Sequence, residues 1–182
     1  MRGLNGTPLK DALAKLEAIQ AVEASLFEDY RQTYWTKKPG IIALYPGVKP
    51  MLEELYSRGV KLGIVTQKTR SFEINGYSAG AIRELEELGV ARLFSAIVGF
   101  EDVSRYKPEP DAVNLALRHL NKQPRETLMV GDSSADIEAA TAAGCWSCYA
   151  TWGLPAAEQG LGNTQAHFTA ETPEALLKML KP

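Results

Sequence analysis

The sequence is poor in the residues that usually staple or metallate a small protein, with two cysteines and two histidines in 182 residues. A disulfide framework is therefore not expected. Cys145 and Cys148 do form C-x-x-C, but no second such pair completes a zinc site. They fall in GCWSCYATWG, which reads as a strand, and three residues apart on a strand their side chains point to opposite faces. A redox pair wants a helix amino terminus instead, so buried structural thiols are expected. The chain also lacks an excess of either charge. A net charge of −2 offers no basic surface for nucleic acid or an anionic membrane. It lacks any apolar run long enough to span a bilayer, and MRGLNGTPLKDAL at its beginning has no continuous apolar segment of the secretory kind. A cytoplasmic location is expected. There is no internal repeat and no low-complexity stretch, while 45% apolar and 23% charged residues are ordinary for a globular domain.

What is present is organised around residues 127–144, TLMVGDSSADIEAATAAG. A short apolar run ends in Gly131, as a strand buried in a parallel sheet does. Asp132 follows in the turn, and Ile137, Ala140 and Ala143 recur at helical spacing behind it. Ser133 with Asp136 three residues on reads as a capping box that fixes the helix entry. In an open parallel sheet, ligands bind beyond the carboxyl ends of the strands, so Asp132 is a candidate for chemistry.

Taken in order, residues 9–35 carry a helical apolar stripe (Leu9, Ala12, Leu16, Ile19, Val22, Leu26, Tyr30), and turn-rich KKPG and YPG close it. Residues 1–45 are thus expected to form a helical appendage and residues 46–182 a sheet domain. In the latter, helices are expected at 48–58, 79–88, 110–120, 155–159 and 173–180, with strands at 61–66, 94–99, 127–130, 146–151 and 166–168. Such alternation implies an α/β fold, a doubly wound parallel sheet covered by helices on both faces. Three strand ends then carry candidate groups: Thr66, the loop leading from Gly99 to Lys107, and Asp132. A hydroxyl, an ammonium and a carboxylate meeting in one crevice suit phosphoryl transfer, which needs positioning and charge stabilisation around a phosphate. The carboxylate suits Mg²⁺, a hard cation bound through few protein carboxylates. Lys68, beside Thr66, is a weaker candidate, and neither His119 nor His167 has a partner pattern.

VTQK, YKPEPD and VGDSSAD, in that order, resemble motifs two, three and four of the haloacid-dehalogenase superfamily, and YPGV and TWG are similar to its phosphoglycolate-phosphatase-like branch. The resemblance covers nearly the whole chain. It implies a Rossmann-like core with a helical cap and a Mg²⁺-dependent phosphatase of small phosphorylated metabolites. It implies that Thr66 hydrogen-bonds the transferring phosphoryl group, that Lys107 neutralises its oxygens, that Asp132 binds Mg²⁺ and that Asp136 supports the metal from behind. Gln67 stands where asparagine is common, keeping the backbone contribution to phosphate binding. The family's opening D-x-D-x-T, which supplies the nucleophile and the general acid, has no counterpart in these residues. The nearest string, GLNGT at residues 3–7, has Gly3 and Asn5 at the two acid positions and resembles the interior of the cap.

The expectation is therefore a partial cap and a core without its central first strand, inactive as given. The alternative is a catalytically dead relative that binds a phosphorylated ligand or a protein partner. Haloacid dehalogenation is disfavoured by Gly131-Asp132 in a metal-type fourth motif. The missing strand would lie between those ending at Thr66 and Val130. The gap is expected either to close by direct pairing of these two or to be filled by a strand swapped from another copy.

Overall fold

A computed structural model of the chain describes residues 33–35, 42–155 and 165–180. Helices and strands alternate. The helices are α1 (Val48–Ser57), α2 (Ala81–Glu87), α3 (Asp111–Leu120), α4 (Ser134–Ala142) and α5 (Pro173–Met179). The strands are β1 (Leu62–Val65), β2 (Phe72–Ile74), β3 (Tyr77–Ala79), β4 (Phe94–Val98), β5 (Leu128–Gly131), β6 (Trp146–Ala150) and β7 (Phe168–Ala170). Residues 33–35 are helical. The remainder of the expected appendage, GLNGT and the helix expected at 155–159 lie outside the described residues, save Pro155.

The parallel strands form two blocks. β1 pairs with β4, from Leu62 opposite Phe94 to Val65 opposite Val98, with one irregularity after Leu62. β5 pairs with β6 and β6 with β7, placing Gly131 opposite Tyr149 and Ala150 opposite Ala170. Helices cover both faces. On one, Met51 and Leu55 of α1 pack with Cys148, Ala170 and Leu176, and with Leu62 of β1 and Leu128 of β5. On the other, Val113 and Leu117 of α3 pack with Ala139, Ala140 and Cys145 beside Met129, while Ala112 and Ala116 of α3 pack with Val98 beside Val65. Period-two alternation explains this division, since Leu62 and Val65, or Leu128 and Met129, leave opposite faces of their strands. Cys145 and Cys148 are buried, unpaired thiols in two different core clusters, as expected of structural cysteines.

Direct pairing of the two blocks does not occur: among the described residues β1 has only β4 as a partner and β5 only β6. Helices α1 and α3 each pack on both blocks, α1 against Leu62 and Leu128 and α3 against Val65 and Met129.

Two local expectations also change. Ahead of α2 lies an antiparallel hairpin, β2–β3, in which Phe72 faces Ala79 around Asn75-Gly76. Asn75 and Gly76 have φ of 50° and 76°, the left-handed pair that a two-residue hairpin turn requires. The late strand runs two residues later than expected, at Phe168–Ala170, because pairing with Cys148–Ala150 sets its register.

Candidate phosphate site at the carboxyl edge of the sheet

The carboxyl ends of β1 and β5 are joined by a side chain from neither. Lys107, in the segment between β4 and α3, places its Nζ 2.6 Å from Asp136 Oδ1 at the start of α4 and 3.4 Å from the carbonyl of Val65 at the end of β1. The pair is largely shielded, with side-chain exposures of 13% and 9%. The other Asp136 oxygen accepts from Ser133 Oγ at 2.7 Å and Ser133 N at 3.2 Å, and Ser133 Oγ accepts from Asp136 N at 3.3 Å. This is the capping box read in the sequence, with one oxygen left for Lys107. Gly131 is required beside it, because a Cβ there would collide with that of Asp136.

Thr66 directly follows β1. Its N–H donates to Val98 O at 2.9 Å, continuing the β1–β4 ladder, and its Oγ1 accepts from Lys68 N at 3.1 Å. The next loop is tied to the one after β4: Phe100 N donates to Lys68 O at 2.9 Å, and Arg70 N donates to Glu101 Oε1 at 2.9 Å. Phe100 and Tyr106 stack with ring centroids 4.3 Å apart, bracing the segment that delivers Lys107. Gln67 donates from Nε2 to Lys107 O at 3.3 Å, so its side chain helps hold that segment. Asp132 follows β5 and is exposed in the turn before Ser133.

The structure thus brings Lys107 and Asp136 into contact and sets the Val65–Thr66 end of β1 beside them, with Asp132 on the turn that also carries Ser133. Asp136 was expected behind a metal carboxylate, and its direct partners are Lys107 and Ser133. Among the described residues no three His, Cys, Asp or Glu side chains converge as a metal cage. Any Mg²⁺ held here would rely on Asp132 together with water and phosphate oxygens, which suits the coordination habits of that ion.

Sequence reasoning missed one charged network beside the site. Lys68 Nζ lies 2.7 Å from Glu84 Oε1 and 3.0 Å from Tyr34 Oη, and Tyr34 Oη donates to Glu84 Oε1 at 2.7 Å. Burial alone would lower the Lys68 pKa, but hydrogen bonds to Glu84 and Tyr34 outweigh it and the value is raised. Lys68 therefore pins helical residues 33–35 to α2. A lysine and a glutamate sixteen residues apart across a hairpin carry no local signal of that pairing. His167, for its part, faces Ser147 Oγ at 2.8 Å and His119 is exposed.

Residues 1–150 match the family model described as haloacid dehalogenase-like hydrolase. The chain belongs to this family. It is 32% identical over 150 residues to the pyrophosphatase PpaX of Oceanobacillus iheyensis, covering 82% of this chain and 65% of that one. It is 39% identical over 110 residues to the phosphoglycolate phosphatase of Escherichia coli K12, covering 60% of this chain and 40% of that one. The chain thus spans between two fifths and two thirds of the length of these curated relatives. Among solved structures, a haloacid dehalogenase-like hydrolase of Streptococcus pneumoniae superposes with a TM-score of 0.74 at 25% identity, over 99% of this chain and 80% of that one. The fold is accordingly the family's α/β Rossmann-type fold, and no helix among the described residues is long and apolar enough to cross a membrane.

Proposed function

We propose that this chain carries the phosphate-holding side of a Mg²⁺-dependent phosphomonoester hydrolase site that takes small phosphorylated metabolites, in the manner of the phosphoglycolate phosphatases it resembles. The observation that carries the reading is the shielded Lys107–Asp136 pair spanning the ends of β1 and β5. An ammonium fixed by a carboxylate behind it and by a strand-end carbonyl is a preorganised donor, and such donors lower the cost of gathering charge on phosphoryl oxygens. Thr66 supplies a hydroxyl, and the backbone at Gln67 supplies an N–H, to the same oxygens. Asp132 holds the Mg²⁺, whose charge would neutralise the phosphate when bound. Asp136 keeps Lys107 in place and supports the Asp132 turn through Ser133.

The 182 residues contain no D-x-D-x-T. No carboxylate is therefore assigned as nucleophile, and Gly3 cannot serve as one. The chain as given is proposed to bind phosphate without turning over an ester. A second reading, a relative that only ever binds its phosphorylated ligand, rests on the same absence. The coding sequence upstream of Met1 separates them, because an in-frame D-x-D-x-T favours the hydrolase and its absence favours the binder.

Calorimetric titration with inorganic phosphate in the presence of Mg²⁺ tests the site itself. Saturable binding is expected, abolished by Lys107→Met and weakened by Asp132→Asn, together with no turnover of para-nitrophenyl phosphate. Phosphate binding indifferent to both substitutions would refute the assignment.

A further inference from the structure

Lys68 is held at both of its ends, and one of those ends touches the candidate phosphate site. Its backbone N–H donates to Thr66 Oγ1 at 3.1 Å. A donor two residues on occupies a lone pair of the threonine hydroxyl, which leaves the hydroxyl's own hydrogen to be given elsewhere. Phosphoryl oxygens are strong acceptors, so this is the arrangement in which Thr66 can serve one. Hydroxyl turns of this kind are weak by themselves, and what fixes Lys68 therefore also decides how well Thr66 is aimed.

The loop that carries Lys68 is built into the start of α2. Thr69 O accepts from Ala81 N at 3.0 Å and Arg70 O from Ile82 N at 3.1 Å, so residues 69 and 70 satisfy the first N–H groups of that helix. On its other side, Lys68 O accepts from Phe100 N at 2.9 Å. The packing is close. A Cβ at Gly80 would lie 2.6 Å from Arg70 O, and one at Gly99 would lie 2.6 Å from Arg70 N. Loop and helix thus form one body, and the far end of Lys68 joins helical residues 33–35 to it. Lys68 Nζ lies 2.7 Å from both carboxylate oxygens of Glu84 and 3.0 Å from Tyr34 Oη. It also lies 5.1 Å from the ring centroid of Tyr34 and 6.0 Å from that of Trp35, within cation–π range. Trp35 in turn meets Phe72 of β2 edge-on, with centroids 5.6 Å apart. An exposed lysine–glutamate pair alone would hold a long side chain loosely. Here Glu84 is only 14% exposed, and two aromatic rings and a phenol close on the same ammonium.

We infer that Lys68 is a positioning residue that couples the seating of helical residues 33–35 on α2 to the aim of the Thr66 hydroxyl, so that this seating and phosphate binding strengthen each other. The inference rests on the phosphate reading above and deepens it. Lys68 contributes through Thr66, with its own charge matched by Glu84. Coupling of this kind is reciprocal: the factor by which seating raises phosphate affinity is the factor by which phosphate favours seating.

The test measures the affinity of the chain for inorganic phosphate with Mg²⁺ by calorimetry, in the wild type and in Tyr34→Phe, Lys68→Met, Glu84→Gln and Lys107→Met. Hydrogen exchange at residues 34, 35 and 68 is followed alongside, with and without phosphate. Lys68→Met is expected to weaken phosphate about fivefold, the low end of ordinary coupling between sites, and Tyr34→Phe to weaken it by a smaller factor. Phosphate should slow exchange at residues 34 and 35 in the wild type and leave it unchanged in Lys68→Met. The Lys68 amide, which is bonded to Thr66 Oγ1, should exchange faster in Tyr34→Phe. Glu84→Gln separates positioning from charge. It removes a negative charge beside the ammonium, so an electrostatic role alone predicts tighter phosphate binding, whereas a loosened anchor predicts weaker binding.

Tighter binding by Glu84→Gln would overturn the inference, as would exchange at residues 34 and 35 that ignores phosphate, or an unchanged Lys68 amide in Tyr34→Phe. Should Lys68→Met fail to fold, Tyr34→Phe, which removes a single oxygen, decides the matter together with wild-type exchange. Phosphate binding that is lost in Lys107→Met but indifferent to Lys68→Met and Tyr34→Phe would sink this inference and leave the phosphate site standing. No binding by the wild type would sink both.

Discussion

Asp136 and Lys107 form one ion pair, yet removing either should not cost the same. Asp136→Ala strands an ammonium that is 13% exposed and whose remaining partner, Val65 O, accepts only a long hydrogen bond of 3.4 Å. Breaking a buried pair costs about 3–5 kcal/mol, and a neighbouring cavity, which Asp136 lines, gives water a path to the pair and favours the lower end. The same substitution removes the Asp136 half of the capping box, about 1 kcal/mol more. Coupling between the two effects makes the sum an upper figure, near ~4 kcal/mol. Lys107→Met instead leaves Asp136 with its two Ser133 donors and an apolar chain of similar length in place of the lysine, so about 2 kcal/mol is expected. Urea unfolding followed by far-UV circular dichroism measures both. With a slope of about 2 kcal/mol per molar, the Asp136→Ala midpoint should fall roughly 1 M further than that of Lys107→Met. Equal shifts, or a larger one for Lys107→Met, would refute the view that Asp136 is the anchor and Lys107 the held group.

Gly131→Ala should destabilise by about 1–3 kcal/mol in the same assay, because its Cβ meets Asp136. Gly76→Ala should cost only about 1–2 kcal/mol, since its φ of 76° is strained for alanine but the space around it is open. Both thiols have pKa values raised by burial, so Ellman's reagent should react with neither in the native chain at pH 8 and with both in urea. The folded-state pKa of Lys68 lies above its ordinary 10.5, so its contribution to stability is full below the unfolded value and is lost as pH rises through the folded one. Wild-type stability should therefore fall more steeply above about pH 10 than that of Lys68→Met.

How much of this was legible in the sequence depends on the distance over which each signal acts. The alternation of strand and helix, the Ser133–Asp136 box and the placing of Thr66 and Asp132 at strand ends are written in runs of a few residues, and the elements lie where those runs are. The Asn75-Gly76 turn was equally local, and flanking phenylalanine, isoleucine and tyrosine mark its strands. Its two strands are only three residues each, too short for a period-two pattern to stand out. The register of β7, the Lys68–Glu84–Tyr34 contact and the Lys107–Asp136 pair depend on partners 16 to 50 residues away, which no periodicity reports. The space between β1 and β5 followed from the expected strand order. That β1 and β5 do not pair directly did not, since it depends on how both blocks are arranged once the helices pack across them.

The claim at the centre of the account is that the ends of β1 and β5, with Lys107, make one phosphate site. Amide chemical-shift mapping tests it most directly, with inorganic phosphate titrated into the ¹⁵N-labelled chain in the presence of Mg²⁺. The amides of Thr66, Gln67, Lys107, Asp132 and Ser133 should move together along one saturation curve, and Lys107→Met should flatten it. Shifts confined to the opposite edge, around Lys61 and Glu126, or no saturable shift at all, would contradict it.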